Sequence, residues 1–193
     1  MDKSPLENKK PNQEKLEVRI EIATPKDWEA YKELWLLAIT GKDAEMFGRS
    51  SSPEQIEEVK NRTEEEWQDF LSQENRFYVL LWEGSRAIGT GMAKKRDEEK
   101  DWWMGSGYVR EDFRNKDIGK KIFAARLNEI RNRGGIKIRM GVKTINMASI
   151  HIADSFNFKK IEEGAGPQGF NMELEDVSNP EVIKKINDVL NAG

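Results

Sequence analysis

Leu16, Val18, Ile20 and Ile22 alternate with charged residues, the period-2 pattern of a strand with one buried face. Thr24 and Pro25 then supply a helix cap and a favourable first helical residue. The helix they open carries Trp28, Tyr31, Leu34, Trp35 and Ala38 on one face, and Gly41 can end it. Phe47–Ser52 reads as a loop. Ser52–Gln73 reads as helix interrupted near Asn61–Thr63, with Ile56, Val59, Trp67, Phe70 and Leu71 as anchors. Phe77–Trp82 and Ala87–Ala93 flank a turn at Gly84-Ser85 and predict a hairpin. A third extended run covers Trp102–Val109. Helical spacing returns in Ile118, Ile122, Phe123, Leu127 and Ile130, and Gly134-Gly135 stops that helix. Ile136, Ile138, Met140 and Val142 alternate again. A short helix over Asn146–Phe156 follows, then strands near Phe158–Glu162 and Gly169–Leu174 joined by Gly164-Ala165-Gly166-Pro167. An amphipathic helix around Pro180–Leu190 closes the chain.

The order is β-α-α-β-β-β-α-β-α-β-β-α. Three successive extended runs followed by helix-linked strands predict one α/β domain, a mixed sheet with helices packed on it. A doubly wound parallel sheet would alternate more regularly. Residues 1–14 are polar, with Pro5 and Pro11, and are expected to form a flexible tail. Residues 15–176 are expected to form the domain, and 177–193 a C-terminal helix.

Composition narrows the function. Among 193 residues, 32 are basic and 35 acidic, a net charge of −3. A general polyanion binder would be clearly basic, so nucleic acid is not favoured as a partner. There is no cysteine, which excludes disulfides, zinc thiolate sites and thiol nucleophiles and fits a reducing cytoplasm. No apolar run approaches the ~20 residues that span a membrane, and the first residues lack the apolar stretch of a secretory signal. A cytoplasmic location without membrane contact is the expectation.

The informative passage runs from Tyr108 to Phe123, YVREDFRNKDIGKKIF. An extended run ends at Val109, a basic turn follows, and a helix begins near Ile118. The first N–H groups of a helix have no internal partner and carry partial positive charge, so such a turn can cradle phosphate. Gly119 lets a ligand approach the backbone. Arg110, Arg114, Lys116, Lys120 and Lys121 surround it with positive charge. Taken alone, these residues are equally compatible with a solvated basic turn. Two nucleotide motifs fail. In the P-loop pattern, Arg114 stands at the first glycine and Lys121 at the hydroxyl residue. The dinucleotide pattern begins at Gly105 and Gly107 and breaks at Arg110.

Arg114-Asn115-Lys116-Asp117-Ile118-Gly119 resembles the pyrophosphate motif of the GNAT N-acetyltransferase superfamily: Gln or Arg, two free positions, Gly, a free position, then Gly or Ala. Asn146 through Asn157-Phe158 is similar to that family's second motif in spacing, though several letters differ. The element order resembles the family over about residues 16–175. The resemblance implies a GNAT-like, mostly antiparallel mixed sheet flanked by helices, and an acetyl-coenzyme A-dependent N-acetyltransferase. It implies that a primary amine attacks directly, without a protein nucleophile. The strand ending at Tyr108 and Val109 would pair with pantetheine, with a backbone N–H, assigned to Val109, stabilising the oxyanion. Arg110, Arg114, Asn115, Lys116, Asp117, Ile118, Gly119 and Lys120 would hold the pyrophosphate, with Asn146 and Ser149 on the coenzyme arm. The implied partners are acetyl-coenzyme A and an amine acceptor seated between the Phe47–Ser52 loop, the early helices and the late hairpin. No metal is implied, and a homodimer stays open.

Three positions depart from the pattern. Asp117 replaces the first motif glycine and is expected to cap the helix with its side chain turned aside. Asn157 replaces a glycine, which asparagine's tolerance of left-handed backbone makes mild. Ala153 stands where many members have the tyrosine that protonates the leaving thiolate. Asn146, Ser149, Ile150 and Ala153 are expected to share one helix face, which makes Ser149 the nearest hydroxyl, open equally to a packing or capping role. His151, the only histidine, lies off that face and is expected to be exposed. A non-catalytic acyl-coenzyme A sensor of the same fold is the alternative.

Overall fold

The computed structural model describes residues 17–42, 44, 51–96, 100–161 and 168–192. The N-terminal tail, Leu16, Phe47–Ser50, Glu162 and the Gly164–Pro167 turn lie outside the described residues.

Seven strands form one sheet. They are β1 (Arg19–Ile22), β2 (Arg76–Glu83), β3 (Arg86–Lys95), β4 (Asp101–Val109), β5 (Lys137–Lys143), β6 (Lys159–Ile161) and β7 (Gly169–Leu174). Their spatial order is β1-β2-β3-β4-β5-β7-β6. Every pairing is antiparallel except β4 with β5. The sheet is therefore mixed, as the element order predicts, and mostly antiparallel, as the resemblance implies.

Strand β2 is buried on both faces, which explains its unbroken apolar run. Phe77, Val79 and Leu81 join the core beneath α4 (Ile118–Asn132) and α6 (Pro180–Asn191), while Tyr78 and Leu80 join the opposite core. The second core holds Tyr31 and Leu34 of α1 (Trp28–Thr40) and Trp67 of α3 (Glu64–Ser72). Burying α4's stripe of Ile118, Ile122, Phe123, Leu127 and Ile130 removes each from water, worth about 1.5–3 kcal/mol per large side chain.

The interrupted helix resolves into two, α2 (Pro53–Asn61) and α3. Arg62 is extended at the break. Thr63 then restarts the helix: its Oγ1 accepts from Glu66 N at 3.3 Å, and its N–H donates to Glu66 Oε2 at 2.7 Å. This reciprocal pair satisfies two end donors. The predicted start of the first helix is tighter than expected. Pro25–Asp27 forms a 3-10 turn, closed by Thr24 N–H on Asp27 Oδ2 at 2.8 Å, and α1 begins at Trp28.

Two irregularities position the site. Pairing of β4 with β5 runs from Asp101 opposite Lys137 to Met104 opposite Met140 and stops there, although both strands continue. The strands thus part beyond Met104. On its other edge, β4 carries one extra residue: Met92 pairs with Gly105 but Thr90 pairs with Tyr108. Ser106 takes the extra turn with φ +48° between two glycines. Among the described residues no helix is long and apolar enough to cross a membrane.

Candidate active site

The parting of β4 and β5 opens a cleft of about 520 Å³, bounded by Gly105–Val109, by Gly141–Lys143, by the start of α4 and by α5 (Met147–Ser155). Its base is held by a residue that the sequence reading missed. Arg126 of α4 is buried, and its Nη1 donates to Gly105 O at 3.1 Å and Met92 O at 3.3 Å. The guanidinium thus ties β3 to β4 beside the register shift. The only advance signal was a charge inside an apolar stripe.

The mouth is built by the turn between β4 and α4. A 3-10 turn, Glu111–Phe113, anchors it through buried Phe113. Arg114 then reaches back, its Nε donating to Val109 O at 3.3 Å. Asn115 and Asp117 are left-handed, with φ +59° and +57°, while Lys116 between them is not. This alternation turns main-chain N–H groups towards one side, the form of an anion nest. The first intrahelical bond is Lys121 N to Asp117 O at 2.9 Å. The N–H groups of Ile118, Gly119 and Lys120 therefore have no partner within the helix. A Cβ on Gly119 would come within 3.3 Å of Ile152 Cδ1 across the cleft.

The left-handed φ of Asp117 accounts for its departure from the motif. Glycine adopts that conformation freely, and aspartate is among the residues that tolerate it. Its expected capping bond does not form: Asp117 holds the N-cap position without a side-chain hydrogen bond. Asn157 is likewise left-handed, φ +67°.

Arg114, Asn115, Asp117, Ile118, Gly119, Lys120, Asn146 and Ser149 all line the cleft, together with Tyr108 and Val109. Two residues do not. Arg110 was expected beside the phosphates, but its buried guanidinium points to the opposite face. There Nε donates to Ala87 O at 2.7 Å and Nη2 pairs with Glu33 Oε1 of α1 at 2.6 Å. The bulge is the cause. Trp102 and Met104 face the α4 core, and one added residue reverses the alternation so that Tyr108 and Arg110 face α1. The Lys116 side chain is also outside the cleft wall, its Nζ 4.9 Å from the centre of the Phe113 ring.

At the end of β4, Arg110 N–H donates to Ile88 O of β3 at 2.9 Å. Strand alternation turns the preceding N–H, that of Val109, to the opposite edge, which borders the cleft. On the facing wall, Asn146 caps α5 by accepting from Ser149 N at 3.1 Å. Helix α5 presents Ala148, Ser149 and Ile152 to the cleft. Ile150 and Ala153 instead turn into the core, Ala153 wholly buried, so the single face expected for Asn146–Ala153 divides. His151 is exposed.

A second hollow, of about 420 Å³, lies on the opposite face of the sheet between α1, α2 and β3. Ser106 borders both spaces, so only β4 at its bulge separates them. The early helices and Ser51, named above among the expected surroundings of an acceptor, line this hollow, whereas the described part of the late hairpin does not. Beneath it, burial pushes the Tyr78 phenol above its ordinary value, an effect partly offset by Arg76.

The residues 43–158 match the model of the acetyltransferase (GNAT) family. No curated protein matches. Among solved structures, the chain is similar to the PaiA N-acetyltransferase of Thermoplasma acidophilum in complex with coenzyme A. The two share 18% identity with a TM-score of 0.65, over 82% of this chain and 99% of that one. An N-acetyltransferase of Staphylococcus aureus Mu50 shares 20% identity with a TM-score of 0.63, over 84% of this chain and 99% of that one. At these identities the structural likeness carries the fold alone.

Proposed function

This chain belongs to the GNAT acetyltransferase family, and from that premise we propose that it is an N-acetyltransferase in which a primary amine attacks acetyl-coenzyme A directly. The family's fold uses acetyl-coenzyme A as acetyl donor, and the residues here suit that group. A diphosphate requires converging N–H donors and local positive charge. The turn at Asn115–Lys120 offers the first, and Arg114, Lys120 and Lys143 at the cleft wall offer the second. An extended pantetheine arm requires a strand edge that the neighbouring strand leaves, and the β4–β5 ladder ends at Met104.

The observation that carries the proposal is the parting of β4 from β5 at the N-terminus of α4. Main-chain N–H groups of Asn115 to Lys120 hold the diphosphate. Asn146 and Ser149 bound the arm, and Gly105 to Val109 align it. Val109 N–H polarises the thioester carbonyl as charge builds on its oxygen. The amine enters from the hollow beyond Ser106. A C–N bond forms, the C–S bond breaks, the amine proton leaves to solvent, and the thiolate takes a proton from water, directly or relayed through Ser149, which regains its own from solvent. A thiol pKa of only ~8.5 makes the last step undemanding. A cytoplasmic location belongs to the same proposal.

Mixing the protein with acetyl-coenzyme A and a panel of amines, then following free thiol, tests this. Release above the amine-free rate is expected. Its absence with every amine contradicts catalysis. Burial of Ala153, where many relatives carry a phenol, favours one second reading, an acyl-coenzyme A sensor without turnover. Tight coenzyme A binding by calorimetry with no thiol release would establish it.

A further inference from the structure

On the acetyltransferase reading above, we propose that the acceptor is a small monoamine on an aromatic or similar ring-bearing body, with its nitrogen held by Thr90. The hollow supplies the body's site. Tyr31 and Trp35, rings 5.7 Å apart, form one wall, with Ile39 and Val59 beside them. Its volume, about 420 Å³, lies towards the small end of the roughly 300–1,000 Å³ of ligand pockets.

Thr90 supplies the polar contact. Its neighbours Gly89 and Gly91 face α4, since a Cβ on either would meet Ile122 at 2.7 Å. Thr90 must therefore face the other way, and it lines the hollow. It is 4% exposed, and its Oγ1 has no hydrogen-bond partner among the described residues. Burying a hydroxyl unpaired is unfavourable, and a substrate amine N–H donating to Oγ1 would pair it. Thr90 also stands opposite Tyr108, two residues from Ser106, where hollow and cleft meet. A nitrogen bound there is beside the edge that aligns the thioester.

Charge selects the class. Among the described residues, the hollow's rim carries one carboxylate, Glu58, already 3.3 Å from the Arg62 guanidinium. That pair is close to neutral. A polyamine brings several positive charges and needs several carboxylates, whereas a monoamine with an apolar body needs none beyond its reacting end.

Initial rates of thiol release with phenethylamine, spermidine and a peptide bearing a free N-terminus and a lysine test the assignment. Phenethylamine is expected to show a kcat/KM at least tenfold above the other two. Thr90→Val should raise its KM about tenfold while leaving the KM for acetyl-coenzyme A unchanged and the thermal midpoint of the ligand-free protein no lower. Thr90→Ser, which restores the hydroxyl, should recover most of the loss. A purely structural Thr90 would not give that recovery. Preference for spermidine or the peptide, or an unchanged amine KM in Thr90→Val, overturns this assignment alone. No release with any amine overturns the acetyltransferase reading and this assignment with it.

Discussion

Gly119→Val tests the proposed phosphate seat separately from the fold. Gly119 is the second residue of α4, and its new Cβ would lie 3.3 Å from Ile152 Cδ1 and 3.9 Å from Val109 Cγ2. The tighter contact is with the free end of a side chain, which can move by a few tenths of an ångström. Replacing glycine in a helix regains a few tenths of a kcal/mol, so folding stability should change by less than about 0.5 kcal/mol. Binding should not escape. The valine methyls project into the cleft before the N–H groups of Gly119 and Lys120. Hydrogen bonds to charged groups contribute about 1.5–3 kcal/mol each; losing two, taken at the low end, removes about 3 kcal/mol. At 1.4 kcal/mol per decade that is a coenzyme A affinity about 100-fold weaker. Calorimetric titration at fixed salt, with a melting curve on ligand-free protein, reads both quantities. A folded variant binding within threefold of the parent would refute the phosphate seat.

Arg114→Glu should also weaken coenzyme A binding, by at least tenfold in low salt and less in high salt, because it reverses a charge at the cleft mouth; calorimetry at two ionic strengths checks this. Arg126→Met should cost about 2–3 kcal/mol of stability by removing a charged donor's bonds to the Gly105 and Met92 carbonyls, and should lower kcat more than it raises the KM for acetyl-coenzyme A, since it loosens the bulge beside the proposed thioester position. Denaturant melts and steady-state rates measure the two effects. Trp67→Ala, which empties a fully buried site beneath the Arg62 guanidinium, should cost about 3–5 kcal/mol and melt the protein well below the parent. Tyr78→Phe tests burial of the phenol. Above the ordinary value of ~10, the unfolded chain releases a proton that native Tyr78 retains, so stability falls as pH rises until the native phenol ionises. The variant should lose less stability between neutral and strongly alkaline pH than the parent.

The element order could be read from the sequence because most of its strands and helices are buried on one face, which keeps their periods clean. The turn proposed to seat phosphate drew attention for a different reason: Arg114, Lys116 and Lys120 crowd a strand-to-helix junction beside Gly119. Orientation was not legible where it depended on the β4 bulge. A single extra residue between Gly105 and Tyr108 sends Arg110 to α1 and leaves Arg114 at the cleft, and nothing in the alternation Trp102–Val109 announces it. Arg126 escaped notice because a charge in an apolar stripe reads as an interruption until the carbonyls it serves are known. Thr90 lay hidden in the apolar run Ala87–Ala93, where only its two glycine neighbours hinted at a face free of bulk on one side and polar on the other.

A crystal structure of the protein with coenzyme A bears most directly on the shared basis of these expectations. The diphosphate should rest on the N–H groups of Ile118, Gly119 and Lys120, with the arm extended along Gly105–Val109 and its sulfur end near Val109 N–H. A coenzyme bound outside the opening between β4 and β5, or with its diphosphate away from that turn, would contradict the account.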